Sequence, residues 1–249
     1  RVKGFVQNEF HIADTGERTG SVENPFDGST AFAFDEVMDD LPEDATIRIG
    51  PGKFCTKGIE AWSPKSGQRI IGAGIRATTL RLVARHEDAC SWAIGSGPMH
   101  LLDSFEVSDL TIDCGMSYLQ GAYAFGGIHV NGKHIRIRRV RFINFGTRTK
   151  EAECFVCLAG QGLPLFDIAD NVIEDCIVEK PAFGSVRETT CLHIGCAEGG
   201  LHRGCAIRNC FVDCAVDGKP DLMVKFQALS ADGGSGAVIE GNCVFNTRT

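Results

Sequence analysis

The chain has 249 residues, 43% of them hydrophobic, with 30 glycines and only 8 prolines, which supplies a continuous core and excludes a disordered polar chain. A formal charge of -7 argues against general affinity for nucleic acid or an anionic membrane, since both need a basic face to displace counterions. No apolar run approaches the roughly 18 residues of a membrane span and no signal-peptide pattern is read, although the start at Arg1 rather than Met allows for a removed leader or a longer N-terminal region.

Repeat and all-β folds commonly reach this length as one domain. A single domain over 1–249 is expected, with 1–25 an N-terminal extension, 26–104 a cap and the first coils, and 105–249 regular coils. Ser29-Thr30 offers an N-cap for a short helix over Ala31 to Leu41, whose apolar positions Phe34, Val37, Met38 and Leu41 are helically spaced. Such a helix would cover the N-terminal end of a repeat, where core and strand edges are otherwise open. Ala45 to Phe54 reads as a strand broken by Pro51-Gly52, and Ile70 to Gly74 leads into Thr79 to Leu82.

Five copies of a six-residue pattern follow: apolar, any, turn-like, small or apolar, any, apolar. They are Val107 to Ile112, Ile137 to Phe142, Ile173 to Val178, Ile207 to Val212 and Ile239 to Val244, with starts separated by 30, 36, 34 and 32 residues. Two short strands joined by a sharp bend read this way. The third column, Asp109, Arg139, Asp175, Asn209 and Gly241, holds residues that tolerate a left-handed bend, with Arg139 the exception. The second column, Ser108, Arg138, Glu174, Arg208 and Glu240, alternates in charge from Arg138 onward, which favours in-register stacking at roughly 4.8 Å. The basic run Arg136, Arg138, Arg139 and Arg141 is accordingly read as a salt-bridged, solvated face.

A third strand per coil is read in Ile128 to Val130, Val156 to Leu158, Leu192 to Ile194 and Val224 to Phe226, with the middle residue outward. The expected fold class is all-β: a single-stranded right-handed parallel β-helix, or solenoid, with a short N-terminal capping helix. The last copy is followed by only five residues, so its end is expected to be open unless the natural chain continues or a partner covers it. Of the twelve cysteines, Cys176 and Cys210 fall inward, where a thiol acts as a small hydrophobe. Cys154-x-x-Cys157 has no second pair at zinc spacing and sits on opposite strand faces. Mostly free buried thiols and no metal site are expected.

Asp27-Gly-Ser-Thr30 before the helix, Ile49-Gly-Pro-Gly52, and Ile71-Gly-Ala-Gly74 with Thr79-Leu80 resemble the opening region of pectate-lyase-like superfamily proteins, a group that includes polysaccharide lyases, polygalacturonase relatives and tailspike-like β-helices. The resemblance runs over roughly Phe26 to Thr247 as a solenoid pattern. It implies carbohydrate chemistry or binding and a secreted or periplasmic location. The catalytic series of polygalacturonases and the histidine and double-arginine motifs of pectate lyases are missing.

Three functions remain. A lyase or epimerase acting on an acidic polysaccharide is favoured; it needs a base and a positive group to stabilise an enolate, roles assigned to His129, His193 and Lys225 in one outward column with Cys157. Asn131, Gln227, Glu188 and Glu198 join Cys157 as substrate-binding candidates, with 115–126 and 180–190 as groove walls. The alternatives are a hydrolase using loop acids among Glu188, Glu198, Asp217, Asp221 and Asp232, and a non-catalytic glycan-binding or structural β-helix of tailspike or adhesin type. A polysaccharide is the expected partner, nucleic acid and membrane are not, and monomer and homotrimer are left open. The sequence names no cofactor.

Overall fold

The structure is a computed structural model that describes residues 8–15, 19–83, 90–97, 100–119, 123–148, 154–161, 168–182, 189–215 and 226–246. Strand dominates, with one α-helix and one short 3-10 turn among the described residues. The strands form two sheets of fourteen and eight strands. Their pairings are parallel except where Ala124-Phe125 meets Gly146-Thr147. The fold is therefore all-β with parallel sheets.

The six-residue copies build the larger sheet in the register their pattern implies. Val107 pairs with Ile137, Ile137 with Ile173, Ile173 with Ile207 and Ile207 with Ile239. The second halves stack likewise through Ile112, Phe142, Val178, Val212 and Val244. Alternation with period two sends these columns to one face, and they merge into one core. The last copy differs: Ile207 is 1% exposed but Ile239 is 47% exposed, with Val244 and Phe245 also exposed, because Val238–Glu240 and Cys243–Phe245 are edge strands of the described sheet.

The bend column is left-handed throughout, with φ of 60, 49, 54, 54 and 65° at Asp109, Arg139, Asp175, Asn209 and Gly241. Arg139 fits a conformation unfavourable to its type while its guanidinium grips the Asp109 carboxylate of the preceding copy. Two further left-handed columns flank it: Ser104, His134, Asp170 and Gly204, and Asn144, Lys180 and Asn246. Three members of the basic run are paired as expected, Arg138 with Glu106 at 2.5 Å, Arg139 with Asp109 at 2.6 Å and Arg141 with Glu179 at 2.5 Å, while Arg136 is exposed.

At the N-terminal side, Thr30 caps the helix Ala31–Asp40 by accepting from the Ala33 amide at 3.1 Å. Phe34 and Met38 enter the core, with Phe34 tilted against Phe54 at 6.0 Å. Asp35, on the buried side of the same helix, accepts from the Thr56 hydroxyl at 2.5 Å and the Lys57 amide at 2.9 Å. Burial pushes its carboxyl up, against the opposing pull of these bonds. Trp62 Nε1 donates to the same Thr56 oxygen at 3.0 Å, so one small network fixes the helix on the strand Gly52–Thr56. The sheet also begins earlier than expected: Glu9–Ala13, assigned to an extension, pairs with Thr46–Ile49 and puts Ile12 in the core. No helix among the described residues is long and apolar enough to cross a membrane.

Candidate functional site

The smaller sheet carries the histidines. Its strands Cys90–Gly95, Ala124–Lys133, Cys154–Gln161, Thr189–Arg203 and Phe226–Ser235 stack in that order. The strands Cys154–Gln161 and Thr189–Arg203 each bend so that two successive residues enter the core, Val156 with Cys157 and Cys191 with Leu192. A bend of this kind reverses the inward-outward parity beyond it.

That reversal corrects the expected column. His129 pairs with Leu158, Leu158 with His193 and His193 with Ser230, so the row is His129, Leu158, His193, Ser230. Cys157 is instead paired with Ile128 and Leu192 inside the core. Burial pushes its thiol far above the ordinary value, which removes it as a substrate contact. Ser230 takes the place given to Lys225, and Lys225 itself lies outside the described residues.

A neighbouring row runs along the same face. Trp92 pairs with Gly126, and Phe155 with Thr190, which pairs with Gln227. The two rows interlock through their rings. Trp92 stacks on His129 with centroids 4.4 Å apart at 24°, and Phe155 lies against His193 at 4.6 Å and 38°. The Trp92 indole crosses Gly126 and donates from Nε1 to the Phe155 carbonyl at 3.1 Å. A Cβ on Gly126 would stand 2.6 Å from that indole and 2.4 Å from the Phe155 oxygen, and one on Gly195 would stand 2.5 Å from His193 Nε2. These two glycines clear the space for the stacks. The two aromatic–imidazole pairs lie two strands apart, about 9.6 Å at 4.8 Å per strand.

Trp92, His129 and Phe155 are half-buried, whereas Leu158, His193, Thr190 and Ser230 are buried. Burial, followed by the nearby His193, lowers the His129 pKa to about 4, so this imidazole is neutral at neutral pH. A neutral ring stacked on the Trp92 indole is suited to packing on apolar faces of a ligand and to hydrogen bonding its edge.

Comparison with family models, with curated proteins and with solved structures found no match.

The other anticipated residues scatter. Asn131 is buried at 2% exposure, its backbone N–H donating to Ser96 Oγ at 3.1 Å, and is not presented on the surface. Gln227 follows Thr190 in the aromatic row and Asp232 pairs with Gly195. Glu198 lies in the Thr189–Arg203 strand, where the register shifts between Gly195 and Gly200. Glu188, Asp217 and Asp221 fall outside the described residues. Among the described residues no group of three or more His, Cys, Asp or Glu is placed to hold a metal. Trp92 and Phe155 were missed because an isolated aromatic reads as core. Their signal was positional: each lies on the parity opposite to its apolar neighbours Ala93 and Val156.

Proposed function

We propose that the parallel ladders are those of a right-handed β-helix of pectate-lyase-like type, and that the face bearing Trp92–His129 and Phe155–His193 binds a polysaccharide. The observation that carries this reading is the presence of two aromatic–imidazole pairs, Trp92–His129 and Phe155–His193, two strands apart. A repeating polymer with alternating apolar faces and polar rims meets a repeating protein surface of the same kind, and aromatic planes give contact area at little entropic cost. The acidic net charge favours a neutral or weakly charged glycan over a dense polyanion.

Lyase or epimerase chemistry is the second reading. Its support is the neutral His129 ring, the only form able to take a proton. A pKa near 4 makes that ring a weak base at neutral pH, and its own row offers Ser230 where a cation was expected. Binding is therefore the better supported of the two.

Affinity electrophoresis through gels containing acidic or neutral polysaccharides tests the first reading, with ultraviolet absorbance of unsaturated ends followed on the same substrates. Retardation in at least one gel without new absorbance is expected. Free migration in every gel overturns binding, and growing absorbance that is lost in His129→Ala gives the second reading precedence.

A further inference from the structure

We infer that Cys191 and Cys214 form a latent disulfide site that staples the two sheets together beneath the candidate binding face. Their Sγ atoms lie 3.7 Å apart, both residues are fully buried, and they are 23 positions apart in the chain. Cys191 belongs to the strand Thr189–Arg203 of the smaller sheet, two residues before His193. Cys214 directly follows Phe211–Asp213 of the larger sheet. The sulfurs are in contact, so a bond of about 2.05 Å requires an approach of under 2 Å, within reach of small side-chain rotations.

The other core thiols are arranged differently. Cys176 Sγ is directed at the Glu174 and Ile137 carbonyls at 3.3 and 3.6 Å, and Cys210 Sγ at those of Arg208 and Ile173 at 3.2 and 3.8 Å. Cys176 and Cys210 also meet through their side chains, but both sulfurs belong to the larger sheet, whereas the Cys191 and Cys214 sulfurs touch between the two sheets. This inference does not rest on the glycan reading.

The oxidant is a small disulfide such as oxidised glutathione. The thiolate of one cysteine attacks it, forming a mixed disulfide and expelling one glutathione thiolate. The second protein thiolate then attacks the protein sulfur of that mixed disulfide, closing Cys191–Cys214 and expelling the other glutathione. Two electrons pass to the oxidant, and the two protons lost by the protein thiols end on the two glutathiones. Because both sulfurs are shielded in the folded chain, the bond forms during folding or through transient opening.

The test is refolding from denaturant in a glutathione redox buffer, then alkylation of remaining thiols, digestion and mass spectrometry, with a parallel sample refolded under dithiothreitol. A Cys191–Cys214 linked peptide two hydrogens lighter than its parts is expected, with Tm raised by roughly 5–10 °C over the reduced sample. Cys214→Ala and Cys191→Ala should each remove the link, and each folded variant should show no Tm difference between buffers. Recovery of both cysteines alkylated from the oxidising sample overturns the inference, as does a dominant link between any other pair.

Discussion

Arg139 and Asp109, one repeat apart in the same bend column, meet in two hydrogen bonds of 2.6 and 2.8 Å, which also hold the Asp109 carboxyl below its ordinary range. Arg139 occupies a left-handed backbone at φ 49°, so the pair offsets a local cost. With the Arg139 side chain 44% exposed, the ion pair itself contributes about 0.5–1 kcal/mol. Arg139→Ala keeps the strain and loses the pair, and should cost about 1 kcal/mol. Arg139→Gly loses the pair but relaxes the bend, and should stay within about 0.5 kcal/mol of wild type. Urea midpoints of the two variants check this, and equal losses would contradict a strained bend.

Position along the ladder should decide the cost of the same substitution. Ile207 is enclosed by Ile173 and Ile239 on either side, whereas Ile239 is largely open. Ile207→Ala should cost about 2–5 kcal/mol and Ile239→Ala under about 1 kcal/mol. Denaturant unfolding of both measures the gap.

The larger sheet was legible because its pattern is doubly constrained: apolar residues fix the face and the bend column fixes the register. Even Arg139 lay where the pattern put it. The other two left-handed columns escaped reading because Ser104 and Lys180 are not residues that announce such a bend. The histidine row was misread by one residue at Cys157, since Val156 and Cys157 both turn inward and Leu158, apolar and buried, gives no sign of facing the other way. The same ambiguity assigned Lys225 to a place held by Ser230, because Leu229 and Ala231 form a weaker apolar signal than Val224 and Phe226.

Gly126 should be intolerant of a side chain. A methyl group there would collide with the Trp92 ring and the Phe155 carbonyl, and the latter is backbone that cannot swing aside. Gly126→Ala should cost about 1–3 kcal/mol and change the emission of Trp92, the half-buried one of the two tryptophans. Unchanged emission with unchanged stability would contradict the stack.

His129 should make stability depend on acid. Its folded pKa, about 4, lies below the ordinary 6.5, so the unfolded chain takes up this proton first. The contribution of the neutral ring is whole above about pH 6.5 and falls as the pH drops towards 4, by at most about 3 kcal/mol. His129→Phe keeps a ring over Trp92 and removes the titration. Urea midpoints at about pH 7 and about pH 4.5 should fall less for this variant than for wild type, and an equal fall would assign the acid sensitivity elsewhere.

The claim that this face holds a glycan is tested most directly by calorimetric titration of a polysaccharide that retards the wild-type chain. Trp92→Ala and Phe155→Ala should each weaken binding by roughly fivefold to tenfold, while Arg139→Gly, on the other sheet, should bind as wild type. Wild-type affinity in both ring variants, with their folds intact by circular dichroism, would contradict it.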